Sequence, residues 1–214
     1  MTASHGAARP GSAATRERIL DAAAEVMREL GLARATTKEI ARAAGYSEAT
    51  LYKHFADKTE LFVRVLAERA PDFVGILARL PGLVGTGALA EHLRDTARQA
   101  VLFYAQGVPM AASVFAEPTV LARHRERIGA MAAGPGQARA ALAEYLRAEQ
   151  RAGRVRADAD PEAAAALLLG ACFQEGFLRA FAGVDPTEGL DEFSAKVVAD
   201  LLTGIGPDRE TSAS

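Results

Sequence analysis

Between Gly45 and Phe55 the chain reads GYSEATLYKHF, which sets Ser47, Glu48, Thr50, Tyr52, Lys53 and His54 within one short segment. These side chains can move protons, and they can also grip phosphate. Proton chemistry needs them to converge. Ser47 and His54 lie two helical turns apart, and no acid is spaced to complete a triad with them. Elsewhere His92 and His124 have no partner at metal-ligand spacing, and ARHRER (122–127) reads most simply as a solvated basic face. Cys172 is the single cysteine, so an intramolecular disulfide and a multi-cysteine metal site are both excluded. No glycine-rich phosphate loop follows a strand. Neither an enzyme nor a cofactor or metal is expected. The phosphate-gripping reading fits better: lysine and tyrosine reach backbone oxygens, and threonine touches a base edge or a thymine methyl.

These groups need rigid elements to position them, and the composition says which kind. Half of the 214 residues are apolar, with alanine, leucine and arginine abundant and β-branched and aromatic residues sparse. That balance favours an all-α fold. No apolar run of about 18 residues predicts a membrane span. The start, MTASHGAARPGSAATRE, lacks the apolar stretch of a secretion signal, and a cytoplasmic protein is expected. The formal net charge is −2, but residues 1–58 hold nine Lys/Arg against seven Asp/Glu. This mild asymmetry permits an anionic partner for the N-terminal part.

Caps and breakers divide the chain into nine or ten helices. Thr15 is placed to cap a first helix that Gly31 ends. Thr36 with Glu39 three residues on forms a capping box for a short helix that Gly45 breaks. Ser47 caps the next, with Leu51 and Phe55 one turn apart on its inner side, and Asp57 caps a fourth that Pro71 kinks and Pro81-Gly82 ends. Gly107-Val108-Pro109 predicts an interruption between a helix over 88–106 and a short one over 110–116. Pro118 opens the following helix, and 134–136 is a turn before another over 137–152. Asp160-Pro161 opens a long apolar helix closed by Gly183. Asp185 to Glu188 predicts the start of the last one.

Two short helices joined at Gly45 make a helix-turn-helix unit, whose second helix lies in a DNA groove. With Leu51 and Phe55 inward, Ala49, Thr50, Tyr52 and Lys53 face out, flanked by Glu48 and His54. Thr36, Thr37 and Lys38, and likewise Lys58, sit at helix N-termini suited to phosphate. The run TTKEIARAAGYSEATLYKHFADKTELF then resembles the DNA-binding segment of the TetR/AcrR family of bacterial transcriptional regulators, over about residues 15–62. The resemblance implies a three-helix DNA-binding head over 15–58, between an arm at 1–14 and a helical effector-binding and dimerisation body over 59–204, with a tail at 205–214. It implies double-stranded operator DNA as partner, a small-molecule effector, and repression relieved by that effector. It makes Ile40, Ala41, Leu51 and Phe55 core, Gly45 the turn, and Ser47, Glu48, Ala49, Thr50, Tyr52, Lys53 and His54 the recognition helix. Tyr52, His54 and Lys58 match phosphate-contacting positions. Ala49 stands where glycine is frequent, and Tyr46 where a smaller aliphatic residue is. Glu48, acidic on a DNA-facing surface, either selects a cytosine amino donor or repels wrong sequences.

Beyond about residue 66 no motif carries the reading. Phe103, Tyr104, Met110, Phe115, Met131, Phe173 and Phe177 are candidates to line an apolar pocket, with Gln106 or Gln174 as polar contacts. Ordinary core packing explains the same residues. The run from Ala163 to Phe181 is apolar nearly all round, and the last helix adds Leu190, Phe193, Val197, Leu201 and Leu202. A two-fold homodimer through these two helices covers both, with Leu167, Ala171, Leu178, Phe193, Val197 and Leu201 in its interface. Two recognition helices about 34 Å apart would then read successive major grooves of a palindrome. The alternative is an all-α protein-interaction or small-molecule-binding module without DNA binding.

Overall fold

The computed structural model describes residues 11–69, 73–116, 118–130 and 134–206, and among these every regular element is helical. In chain order they are α1 (Ser12–Arg34), α2 (Thr37–Ala44), α3 (Glu48–Tyr52), α4 (Lys58–Glu68), α5 (Phe73–Arg79), a 3-10 turn at Leu80–Leu83, α6 (Leu89–Phe115), α7 (Pro118–Ala130), α8 (Pro135–Arg151), α9 (Pro161–Ala182) and α10 (Leu190–Ile205). The predicted all-α class holds. Pro71, read as a kink, lies outside the described residues.

Apolar side chains gather into two cores. The first joins α1 to α4 through Ile19, Leu20, Met27, Ile40, Leu51, Phe55, Leu61 and Phe62. It also takes Val114 from α6, with Ala111 and Leu121 packed against it. The second fills the body, where Leu93, Ala97 and Val101 of α6 meet Leu142 and Leu146 of α8, Leu168 and Cys172 of α9, and Val198 of α10. The inner side of α6 thus serves both cores, so this helix is the spine of the molecule.

Local signals set most boundaries. Gly31 adopts φ 73° and breaks the regular path of α1 one turn before its end. Asp160 accepts from the Glu162 and Ala163 N–H groups with Pro161 in the first turn, and Gly183 closes α9 in the left-handed region. Four expectations need correction. The fourth helix, expected to end at Pro81-Gly82, ends at Glu68, and the separate α5 and the 3-10 turn follow. Helix α1 starts at Ser12, with Thr15 already inside it. Helix α6 runs unbroken through Pro109: a proline removes one backbone donor, while burial of α6 on two cores holds the turns on either side. The last helix starts at Leu190; Asp185 instead accepts from the Thr187 N–H and hydroxyl in a turn before it.

The α6–α9 crossing is close. A Cβ at Gly176 would fall 2.8 Å from Tyr104 Cβ and 2.9 Å from both Ala105 N and Val101 O. By length and hydropathy alone α9 qualifies as a membrane span, yet one side of it is packed into the body core.

Candidate nucleic-acid interface

The candidate site begins at the Thr36 cap. Its hydroxyl oxygen accepts from Glu39 N at 3.1 Å, while Glu39 Oε2 accepts from Thr36 N at 2.9 Å. That reciprocal pair fixes where α2 starts, and the Thr36 N–H, followed by its hydroxyl, holds the Glu39 carboxyl below the usual carboxylate range. Ile40, Ala41 and Ala44 bury the inner face of α2. Gly45 then takes φ 78°, and Tyr46 N donates to Ala41 O at 2.8 Å. A left-handed residue there lets the last carbonyls of α2 find donors as the chain turns.

Arg18 of α1 finishes the turn. Its Nη2 donates to Ala44 O at 3.2 Å, and its guanidinium lies 5.2 Å from the Tyr46 ring centroid. Tyr46, unusual beside the family pattern, thus serves as the aromatic platform for an arginine. Ser47 caps α3 by accepting from Thr50 N at 3.2 Å, and its hydroxyl meets that of Thr50 at 3.0 Å. Leu51 and Phe55 are buried, which turns the other side of α3 outward. Regular helix lasts only through Tyr52; Lys53 N donates to Thr50 O and His54 N to Leu51 O in a tightened final turn.

The outward surface gathers Thr36 and Lys38 from the start of α2 with Ala49, Tyr52 and Lys53 from α3, all exposed; Thr37, Glu48, Thr50 and His54 are half-buried. Tyr52 is 51% exposed. Several of the expected contacts are already engaged within the protein. Glu48 Oε2 accepts the Thr37 hydroxyl at 2.7 Å. Lys58 Nζ donates to Leu32 O at 2.8 Å, and burial holds its ammonium below the usual lysine range. A phosphate would have to compete with that carbonyl for Lys58.

Arg16 positions the site from behind. It forms a two-pronged pair with Glu68 (2.8 and 2.6 Å) and lies 5.6 Å from the Phe55 ring centroid. Arg69 pairs with Glu17 and Asp21 of α1. Together these pairs join α1 to the end of α4. Sequence reasoning missed them, because partners about fifty residues apart leave no local pattern.

Within the body, Phe103 and Tyr104 pack against Phe73 with ring centroids 5.2 and 5.9 Å away, and Phe173 meets Tyr104 at 5.3 Å. Burial pushes the Tyr104 phenol up to about 12. Phe177 stacks on Phe181 instead. Gln106, Phe115 and Gln174 are exposed; the side chain of Met110, and Met131, lie outside the described residues. The outer side of α9 presents Leu167, Phe173, Phe177, Leu178 and Phe181 to solvent, with Leu167 at 68% and Phe181 at 83% exposure. Ala171 and, on α10, Phe193, Val197 and Leu201 are half-buried.

A polar network that sequence reasoning did not foresee closes the far end of the body. His92 Nδ1 lies 2.8 Å from the Tyr145 hydroxyl. Fully buried Glu149 pairs with Arg154 at 3.1 Å, and Arg154 Nη1 donates to Thr86 O at 2.8 Å. Burial first, and then Glu149, push the Tyr145 phenol above its usual range.

Residues 19–65 match the family model for bacterial regulatory proteins of the tetR family, and residues 91–203 match the model for the C-terminal domain of AefR-like transcriptional repressors. The HTH-type transcriptional regulator SrpR of Pseudomonas putida is 47% identical over 55 residues, 26% of this chain and 26% of its own length. The chain thus spans about a quarter of that curated relative. Among solved structures, Salmonella enterica GusR superposes with a TM-score of 0.68 at 24% identity, over 91% of this chain and 96% of that one. The complex of SmeT with triclosan superposes at 0.64 and 22% identity, over 91% and 93%; SmeT is the repressor of the Stenotrophomonas maltophilia efflux pump SmeDEF. At these identities the superpositions speak for the fold alone.

Proposed function

The chain belongs to the tetR family of bacterial regulatory proteins, and on that premise we propose that it is a sequence-specific DNA-binding transcriptional repressor, a cytoplasmic homodimer that leaves its operator when a small molecule binds its helical body. The observation that carries the reading is the succession of cap, turn and cap at Thr36, Gly45 and Ser47, which sets Lys38, Ala49, Tyr52 and Lys53 on one exposed surface. The head is assigned to 15–58 and the body to 59–204. Thr36, Thr37, Lys38, Tyr52, Lys53 and His54 hold phosphates; Glu48, Ala49 and Thr50 face base edges. No catalytic step is assigned to any residue.

The bare apolar side of α9 supports the dimer, because water is expelled when two such faces meet. The aromatic group Phe73, Phe103, Tyr104 and Phe173 is the best-supported place for an effector, and the complex of the like-folded SmeT with triclosan supports a small molecule as that effector. An effector shifts operator affinity only by its preference between two dimer arrangements. Helix α4, tied to α1 by Arg16 and Arg69, carries that preference to the head.

The test is fluorescence anisotropy on duplexes from beside the chain's own gene, at several salt concentrations. Wild type is expected to bind, and log affinity to fall linearly with log salt. Lys38→Ala and Lys53→Ala are each expected to weaken binding and to lower the salt slope by about one per protomer, about two for the bound dimer. Wild type that binds no duplex would leave the alternative, a ligand-binding or protein-interaction module.

A further inference from the structure

Three side chains join the two helices of the reading motif. The Thr37 hydroxyl donates to Glu48 Oε2 at 2.7 Å. A hydroxyl has one proton, so the Thr37 oxygen can then act only as an acceptor. It lies 3.3 Å from the Tyr52 hydroxyl, which must be the donor of that contact. Both protons therefore point at protein oxygen. A phosphate oxygen accepts hydrogen bonds, and it needs those same protons. The Tyr52 proton is held by the Thr37 oxygen; the Thr37 proton is withheld by a carboxylate, which has no proton to offer phosphate and repels its charge.

Glu48 can give up the Thr37 proton without loss if another donor takes its place. In the major groove those donors are the amino groups of cytosine N4 and adenine N6. We propose that Glu48 is a positioning residue that couples base choice to phosphate grip: it releases the Thr37 hydroxyl to the DNA backbone when a base-edge amino group satisfies its carboxylate, and keeps it otherwise. On a matching base pair the exchange at Glu48 is near neutral, and one phosphate bond is gained. On a mismatched pair Glu48 stays closed on Thr37, so the base contact and the backbone contact are missing together. Discrimination at that position then exceeds the worth of one base contact. The inference rests on the DNA-binding reading above.

The experiment compares anisotropy-measured affinities for a selected operator, for the operator with its amino-bearing pairs replaced one at a time, and for an unrelated duplex. Glu48→Ala frees the Thr37 hydroxyl on any sequence. It is expected to raise affinity for the unrelated duplex about tenfold or more for each protomer bound, the worth of one hydrogen bond to a charged group, and to shrink the operator preference. In a Thr37→Val, Tyr52→Phe background the same substitution should change that affinity less than about threefold. Glu48→Gln keeps an acceptor for Thr37 without the charge, and should stay near wild type on the unrelated duplex. An equal gain in both backgrounds, or glutamine as permissive as alanine, would mean that Glu48 acts by charge alone, and the proposal falls. An unchanged or weaker Glu48→Ala would mean that the tie only braces the fold, and the proposal falls again. Wild type that binds no duplex removes the parent reading, and the inference with it; wild type that binds while the variants fail these patterns removes the inference alone.

Discussion

Replacing Gly176 by alanine tests the α6–α9 crossing, the closest approach between the two helices. The new methyl would sit 2.8 Å from Tyr104 Cβ and 2.9 Å from Ala105 N and Val101 O. Two of these three neighbours are backbone atoms, so no rotamer change relieves the contact. The helices must part by several tenths of an ångström to restore an ordinary contact of 3.4 Å. Overfilling a packed interior costs about 1–3 kcal/mol. Alanine returns about 1 kcal/mol of helix propensity over glycine. The net loss is then up to about 2 kcal/mol, centred on about 1 kcal/mol, or roughly 2–4 °C in Tm for a chain of this size. Gly170, exposed on the outer side of the same helix, is the control, since a Cβ there meets nothing within 4 Å. Gly170→Ala is expected to gain up to about 1 kcal/mol. Thermal melts of both variants by circular dichroism at one protein concentration give the comparison. If Gly176→Ala melts as high as Gly170→Ala, the helices are not in backbone contact and the reasoning fails.

Thr36→Ala removes the cap of α2 and is expected to lower stability by about 1 kcal/mol, read as a fall of roughly 2–4 °C in Tm. His124 packs its ring 5.4 Å from that of Phe62, its Nδ1 finds no hydrogen-bond partner among the described residues, and burial holds the imidazole below its ordinary range. The native state therefore takes up this proton at lower pH than the unfolded chain does. Stability from His124 is present above the ordinary histidine value of about 6.5 and is lost as pH falls from there through the depressed native value. Denaturant titrations should show wild type losing more stability than His124→Phe between pH 7 and 5.5; parallel losses would count against it. Phe181→Glu with Leu178→Glu puts charge on the outer face of α9, and sedimentation should then report the mass of one chain where wild type reports two; a wild-type mass of one chain would remove the dimer.

The head was legible because its signals are local. Thr36, Ser47, Asp57 and Asp160 each act on an N–H two or three residues away, so spacing alone identifies them. Gly45 and Gly183 announce themselves through a conformation that other residues avoid. The Gly107-Val108-Pro109 break was misread because local propensity argued one way and burial on two cores the other, and burial prevailed. Tyr145 and Glu149 drew no reading from the sequence. Tyr145 meets His92 53 residues back, and Glu149 reaches the loop at Gly85 as well as nearby Arg154, so local spacing carries only a fragment of the network. Lys58 illustrates the opposite error. Its position in the motif suggested an open phosphate site, and only the folded path of α1 shows the Leu32 carbonyl waiting for it.

Val114 of α6 lies inside the core of the head, 2% exposed, with Ala111 and Leu121 beside it. The reading head is therefore not a detachable cartridge. A fragment ending near residue 69 would lay bare the apolar patch that α6 and α7 cover, and would melt earlier or clump. A chimera that grafts this head onto another helical body must bring a matching pad at the end of the receiving spine helix, or reshape the patch on Phe62 and Val65. Recombination between such proteins is thus constrained by a few side chains far from any DNA contact.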